Sequence, residues 1–283
     1  MAKSIIFIGC GKVATGAARM LSEQNIRLRG VRRDISSLPG FMKKSAADVC
    51  NPASMEFLKS TDADTIVYSI AATGFDEHSY TKAYVTGLQN TIRAMDMKAV
   101  KRLIFVSSTA VYHQNDDSLV DEHSATNPER FNGKIMLEAE QIAIETGIGT
   151  AVRFSGIYGP GRNRLIERVR NGNCTPENSV SFTNRIHSQD CSAVLAHLIT
   201  QPKLPSVIVA SDSKPATTTE VESFIATQLN IQKQYADTSE KTKRIAGSKR
   251  CCNRLLLDTG FKFKYPNYRQ GYKELIRDYG NSD

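Results

Sequence analysis

Short apolar runs alternate with amphipathic stretches through the first two thirds of the chain. Ser4-Ile5-Ile6-Phe7-Ile8 is continuous, rich in Ile and closed by glycine, the pattern of a short strand buried on both faces. From Lys12 the spacing turns helical, with Val13, Ala17, Met20 and Leu21 on one face. Ile26 to Val31 alternates as a second strand, and Phe41 to Ala47 gives a weaker third, followed by Asp48. Pro52 stands in the first turn of a short helix through Leu58. Thr65 to Ala72 is a strong buried strand ending in two small residues, and a helix from Tyr80 to Met97 follows. Arg102 to Thr109 is the next strand and runs into hydroxyl residues. Asn127-Pro128 opens a helix to Thr146, and Thr150 to Phe154 is a strand again. Strands and helices alternating at this spacing predict an α/β fold built on a doubly wound parallel sheet.

Beyond this point the elements shorten. Ser155 to Gly161 is a loop turned by glycine and proline, and Arg185 to Asp190 precedes a helix from Cys191 to Thr200. Val207 to Val209 is one more strand. Thr217-Thr218-Thr219-Glu220 caps a helix through Leu229, because a Thr followed three residues later by Glu satisfies the first amides. The remainder to Asp283 is basic and aromatic. The expected division is 1–160 as a dinucleotide-binding domain and 161–283 as a smaller α+β lobe, interleaved with the last elements of the sheet, over a substrate cleft.

The chemistry begins at Gly9-Cys10-Gly11-Lys12-Val13-Ala14. The two glycines permit a tight turn and close backbone approach, and Ala14 is small enough for close helix–strand packing. A helix starting at Lys12 aims its free N–H groups and dipole at the turn, which suits a pyrophosphate. Ligands of such sheets bind beyond the carboxyl ends of the strands, where Gly11, Arg32, Ala71 and Ser108 gather. The second strand ends in Arg32-Arg33-Asp34. An acid at that place takes the ribose 2′-hydroxyl of NAD, whereas arginine accommodates the 2′-phosphate of NADP, so the expected cofactor is NADP, with NAD the alternative.

Composition changes this picture little. At 283 residues, 23% charged and 40% hydrophobic, the chain has the make-up of an ordinary globular protein. No apolar run reaches the ~20 residues of a membrane helix, and a strand beginning almost at Met1 leaves no room for a secretion signal. A cytoplasmic location is expected. The six cysteines show no Cys-x-x-Cys pair, so reduced thiols are expected, with neither a metal nor a disulfide framework. Part of the +8 net charge lies in Lys241, Lys243, Arg244, Lys249, Arg250 and Arg254. Without a nucleic-acid motif these read as a solvated basic face. The expected partners are a small-molecule substrate and a second copy of the chain, with no nucleic acid and no membrane.

Several stretches together resemble the extended or atypical short-chain dehydrogenase/reductase superfamily, the group of the NAD-dependent epimerases and dehydratases. They are the glycine turn, Phe105-Val106-Ser107-Ser108-Thr109-Ala110-Val111-Tyr112, Arg153 to Arg162 and Arg185-Ile186-His187-Ser188-Gln189-Asp190. Lys249 to Asn253 and Tyr265-Pro266 are further similar to a bacterial subgroup of epimerase-like proteins. The resemblance implies a Rossmann-type sheet and an NAD(P)-dependent oxidoreductase or epimerase acting on a sugar-like or small carbonyl compound. It implies a catalytic Ser, Tyr and Lys, in which the Tyr moves the proton, the Lys lowers its pKa and holds the ribose, and the Ser binds the substrate oxygen. Ser108 and Lys134 match the Ser and Lys positions, but Arg130 stands where the tyrosine belongs. A guanidinium is always protonated and cannot do that work. Either another group supplies the proton, Tyr112 first, or the protein binds or senses the dinucleotide without catalysis. The candidate site is therefore Ser108, Lys134 and Tyr112 for chemistry. For the cofactor it is Gly9, Gly11, Lys12, Val13, Arg32, Arg33, Asp48, Ala71, Ala72 and Lys134. His187 is expected to be structural.

Overall fold

The computed structural model describes residues 4–177, 181–235 and 247–280. In chain order the elements are β1 (Ser4–Ile8), α1 (Lys12–Leu21), β2 (Arg27–Arg32), β3 (Lys43–Ala46), β4 (Thr65–Tyr68), α2 (Glu77–Tyr80), α3 (Gly87–Ala94) and β5 (Arg102–Ser108). Then follow β6 (Leu119–Val120), α4 (Phe131–Glu145), β7 (Gly149–Phe154), β8 (Gly156–Tyr158), α5 (Arg164–Arg170), β9 (Phe182–Thr183) and β10 (Arg185–His187). The last are α6 (Ser188–Thr200), β11 (Val207–Ala210), β12 (Ala216–Thr217), α7 (Thr218–Gln228), β13 (Arg250–Cys251), α8 (Arg254–Asp258) and α9 (Tyr268–Gly280). Pro52–Ser60 is a 3-10 helix and Thr81–Thr86 a π turn that joins α2 to α3.

The main sheet has seven strands in the order β11-β7-β5-β4-β1-β2-β3, with β1 parallel to β2 and β4, β2 to β3, and β4 to β5. From β1 the chain winds outward through β2 and β3, then returns to the other side of β1 for β4 and β5. Strand order therefore reverses between β1 and β4, and the crevice above their carboxyl ends is the place for a ligand. β1 and β4 are buried along their whole length, as the unbroken apolar runs require.

Two compact units share the chain, one of residues 4–112, 125–153 and 192–208, the other of 113–124, 154–191 and 209–280. Residue 160, drawn from the sequence as a boundary, falls inside the second unit. That unit has its own core, in which Tyr158, Ile166, Val221, Ile225, Tyr268 and Tyr272 pack together.

Local expectations fare unevenly. Met20 is 49% exposed, because α1 buries Ala14, Ala17, Ala18 and Leu21 and leaves Val13 and Met20 at the edge of that face. The strand expected through Ala72 ends at Tyr68, and residues 156–158, expected as loop, form β8 paired with β10. The helix expected from Asn127 begins at Phe131. Thr217 caps α7 as expected, its hydroxyl accepting the Glu220 amide at 3.1 Å. Lys241, Lys243 and Arg244 of the basic stretch lie outside the described residues. No described helix is long and apolar enough to cross a membrane.

A candidate dinucleotide site above β1 and β4

The turn after β1 is held by its own backbone. The amides of Gly9 and Cys10 both donate to Val31 O, at 2.9 and 3.1 Å, and the Gly11 amide donates to Gly9 O at 2.7 Å. Ser69 at the end of β4 donates its hydroxyl to Gly9 O at 3.0 Å, tying the two strand ends together. Gly9 has φ +79°, and a Cβ there would meet Ile70 N at 2.7 Å, so this glycine is demanded by the fold. Gly11 is different. Its φ is ordinary, and a Cβ would meet only Gly9 O, at 3.9 Å. Gly11 is the N-cap of α1, no side chain caps the helix, and its first turn carries no acid. The dipole end is left open toward the crevice, as a pyrophosphate needs. The Cys10 thiol points the other way, buried near Met42 and Thr15, and burial pushes its pKa up.

Beside this turn opens a cleft of about 640 Å³, a size that suits a cofactor. Gly9, Gly11, Arg32, Arg33, Asp48 and Ala71 line it, all six expected from the sequence. Lys12, Val13, Ala72, Ser108, Tyr112 and Lys134 are not part of that lining. Arg32 is fixed by donating Nη1–H to Ser37 Oγ at 2.8 Å. Asp34 turns into its own loop and accepts the Ser36 amide at 2.9 Å; hydrogen bonds from Ser36 hold its carboxyl below the usual range. Asp48 likewise accepts the Cys50 amide at 2.9 Å.

Sequence reasoning missed the part of the wall made by His78, Ser79, Lys82 and Ala83. The only hint was that a helix following β4 so closely must start beside the strand's carboxyl end. The π turn sets this wall. The Gly87 amide bonds Lys82 O five residues back, and the carbonyls this leaves askew are taken from the side: Tyr68 donates its hydroxyl to Ala83 O at 2.5 Å, and Cys50 its thiol to Lys82 O at 3.5 Å.

The expected catalytic residues lie outside that lining, on the turn after β5 and the first turn of α4, which pack together where Gly133 meets Ala110 O. Ser108 Oγ accepts the Ala110 amide at 3.1 Å, capping the turn after β5. Tyr112 is 3% exposed, and its hydroxyl accepts Arg153 Nη1–H at 2.9 Å. Arg153 is buried too and clasps the buried carboxylate of Glu140, with Nε 3.0 Å from one oxygen and Nη2 2.7 Å from the other. Ser107 donates to the same carboxylate. Burial alone would lower the Arg153 pKa, but the Glu140 contacts outweigh it and raise it. Lys134 is exposed on α4. Arg130 is the N-cap of α4 in extended backbone, exposed, with its carbonyl accepting the Lys134 amide at 3.0 Å. The cap side chain makes no bond to the helix. Around the start of α4, Phe131 meets Phe75 and Tyr80 at ring distances of 5.2 and 5.4 Å, and Tyr84 accepts the Ala72 amide at 3.4 Å.

In the other unit His187 lies against Tyr265 and Tyr158, at 4.0 and 5.2 Å between rings, and burial pulls its pKa down to about 4. Asp190 accepts the amides of Lys264 and Tyr265 at 2.8 and 3.0 Å, a structural hook for the segment before α9. Among the described residues no cluster of His, Cys, Asp or Glu is arranged to hold a metal.

A family model for NAD(P)H-binding proteins matches residues 9–202. A search of the curated proteins finds no match. Among solved structures, a protein of Methylobacillus flagellatus provisionally described as an NAD-dependent epimerase/dehydratase is 31% identical, each chain covered to 99%, with a TM-score of 0.83. The UDP-glucose 4-epimerase of Thermus thermophilus, solved with NAD, is 14% identical over 99% of this chain and 100% of its own, with a TM-score of 0.81. The dTDP-glucose 4,6-dehydratase of Bacillus anthracis, also with NAD, is 15% identical over 100% and 98%, at 0.81. At these last identities the likeness is one of fold alone.

Proposed function

Since the chain belongs to the NAD(P)H-binding family, in its NAD-dependent epimerase/dehydratase branch, we propose that it binds NADP(H) in preference to NAD(H) and acts as an oxidoreductase or epimerase. The substrate class is a sugar-like or small carbonyl compound, and the proton donor is not the family's tyrosine. When bound, the dinucleotide supplies a hydride donor or acceptor; the chain's part is to seat and orient it. The glycine turn and the uncapped α1 receive the pyrophosphate, Ala71 is small enough to lie beside a flat ring, and Arg32 and Arg33 face the adenosine ribose. One observation carries the cofactor preference: arginines occupy the end of β2, while the nearby Asp34 spends its carboxylate on Ser36 rather than offering it to a ribose hydroxyl. Fluorescence titration should give tighter binding of NADPH than of NADH, and equal or reversed affinities would overturn the preference. Replacing Arg32 and Arg33 by Ala should weaken NADPH mainly, by about 1.5 kcal/mol for each charged hydrogen bond lost.

A second reading, a dinucleotide-binding or redox-sensing regulator without catalysis, is supported by the engagement of the Tyr112 hydroxyl with Arg153 and by Arg130 in the tyrosine's place. NADPH oxidation with a panel of nucleotide sugars, aldehydes and quinones separates the two, since enzymes commonly turn over at about 1–10³ s⁻¹. The expected partners remain a small-molecule substrate and a second copy of the chain. Six free thiols support a cytoplasmic location.

A further inference from the structure

Resting on the NADP reading, we infer that the adenosine 2′-phosphate is held by Lys82 as well as by the arginines, and that Lys82 is a specificity-determining residue for it. Arg32 and Arg33, at the end of β2, and Lys82, in the π turn after α2, all line the same cleft. Cys50 lines the same cleft, its thiol donates to the Lys82 carbonyl at 3.5 Å, and the charges of Asp48, Lys82 and Arg33 all reach it.

The position of Lys82 is built rather than incidental. Here the π turn is pinned by Tyr68 to Ala83 O and by Cys50 to Lys82 O, and Gly87 lets α3 approach, since a Cβ there would meet Tyr68 Oη at 2.5 Å. Two carboxylates, Asp34 and Asp48, line the cleft as well, held in place by the amides of Ser36 and Cys50. Three cations, Arg32, Arg33 and Lys82, line the cleft against two carboxylates, an excess of positive charge. They match a phosphate monoester, which carries close to two negative charges at pH 7 and three acceptor oxygens. Arginine supplies the fixed fork and lysine the movable point charge.

The test is binding by the intact chain of NADPH, NADH, adenosine 2′,5′-bisphosphate and adenosine 5′-monophosphate, by wild type, Lys82→Met and Lys82→Arg, with melting curves to confirm folding. Lys82→Met should weaken NADPH and the bisphosphate about tenfold, as loss of a solvated charged hydrogen bond does, and leave NADH and the monophosphate within about twofold. Lys82→Arg should keep most of the preference. If wild type prefers NADPH and Lys82→Met leaves the preference intact, the inference fails while the arginine reading stands. If Lys82→Met weakens all four ligands equally, Lys82 serves the cleft generally and the inference fails as well. A wild type without preference for the 2′-phosphate would defeat the cofactor reading itself and the lysine's role with it.

Discussion

Two glycines two residues apart answer to different demands. Gly9 sits at positive φ with Ile70 backbone against the place of its missing Cβ, so the turn cannot form as built with any other residue. Gly11 has ordinary backbone and open space, and its lack of a side chain matters only when a dinucleotide approaches. Gly9→Ala should therefore cost stability directly, on the order of 1–3 kcal/mol from strain and overlap. Gly11→Val should keep the wild-type circular dichroism, at a cost of about 1 kcal/mol or less for a poorer N-cap, while abolishing NADPH binding. Retention of binding by Gly11→Val would place the pyrophosphate elsewhere, and an unperturbed Gly9→Ala would show the turn to be looser than its geometry implies.

At the scale of elements, α4 is bound to the strands it covers through charge as well as through apolar contact. Glu140 on α4, Arg153 on β7 and Ser107 on β5 form a buried cluster, with Tyr112 on its edge. A buried ion pair contributes little against a well-packed apolar pair of similar volume, because both charges lose their hydration. Breaking it is another matter. Glu140→Ala leaves the Arg153 guanidinium buried without its counter-charge and should cost about 3–5 kcal/mol by urea unfolding, whereas Glu140→Met with Arg153→Met should cost distinctly less. Equal losses would mean that the ion pair itself, and not the orphaned charge, holds these elements.

For the molecule as a whole, buried groups of opposite sense in the second unit act on stability against pH, His187 on one side and the carboxyls of Asp212 and Asp190, both raised by burial, on the other. His187, its pKa drawn down to about 4 by burial, stays neutral in the fold while the unfolded chain gains a proton below about 6.5. It removes stability as pH falls from 6.5 to 4, by about 3 kcal/mol. Asp212 is fully buried and burial raises its pKa to about 7, with Arg185 nearby limiting the rise. The fold keeps its proton while the unfolded chain ionises, so Asp212 removes stability as pH rises from about 4 to 7, by up to about 4 kcal/mol. The two act against each other in the wild type. Asp212→Asn should gain on the wild type steadily across that window, unmasking the histidine as a rise in stability with pH. A difference that stays constant from pH 4 to 7 would show that Asp212 is ionised in the fold, paired with Arg185.

The sequence by itself determined the parallel sheet, the glycine turn with its helix, and the arginines at the end of β2. Each is a local signal: a strand buried on both faces is apolar throughout, a positive-φ turn with backbone packed against the missing Cβ takes glycine, and a ligand site above a parallel sheet uses the strand ends. The cap of α7 at Thr217 was legible for the same reason. Only the tertiary structure decided which residues meet across the chain. Lys82 joins Arg33 at one cleft because β4 lies beside β1. Tyr112 is taken up by Arg153, and Glu140 completes that cluster, because α4 lies against the sheet there. Met20 is exposed and Arg130 stands outside its helix because packing, not periodicity, chooses the buried face and the first helical residue. Residues 156–158 became a strand only because β10 lies beside them to take their hydrogen bonds. Periodicity reports what one element wants to bury; the partner that covers it, and the charge that faces it, come from other parts of the chain.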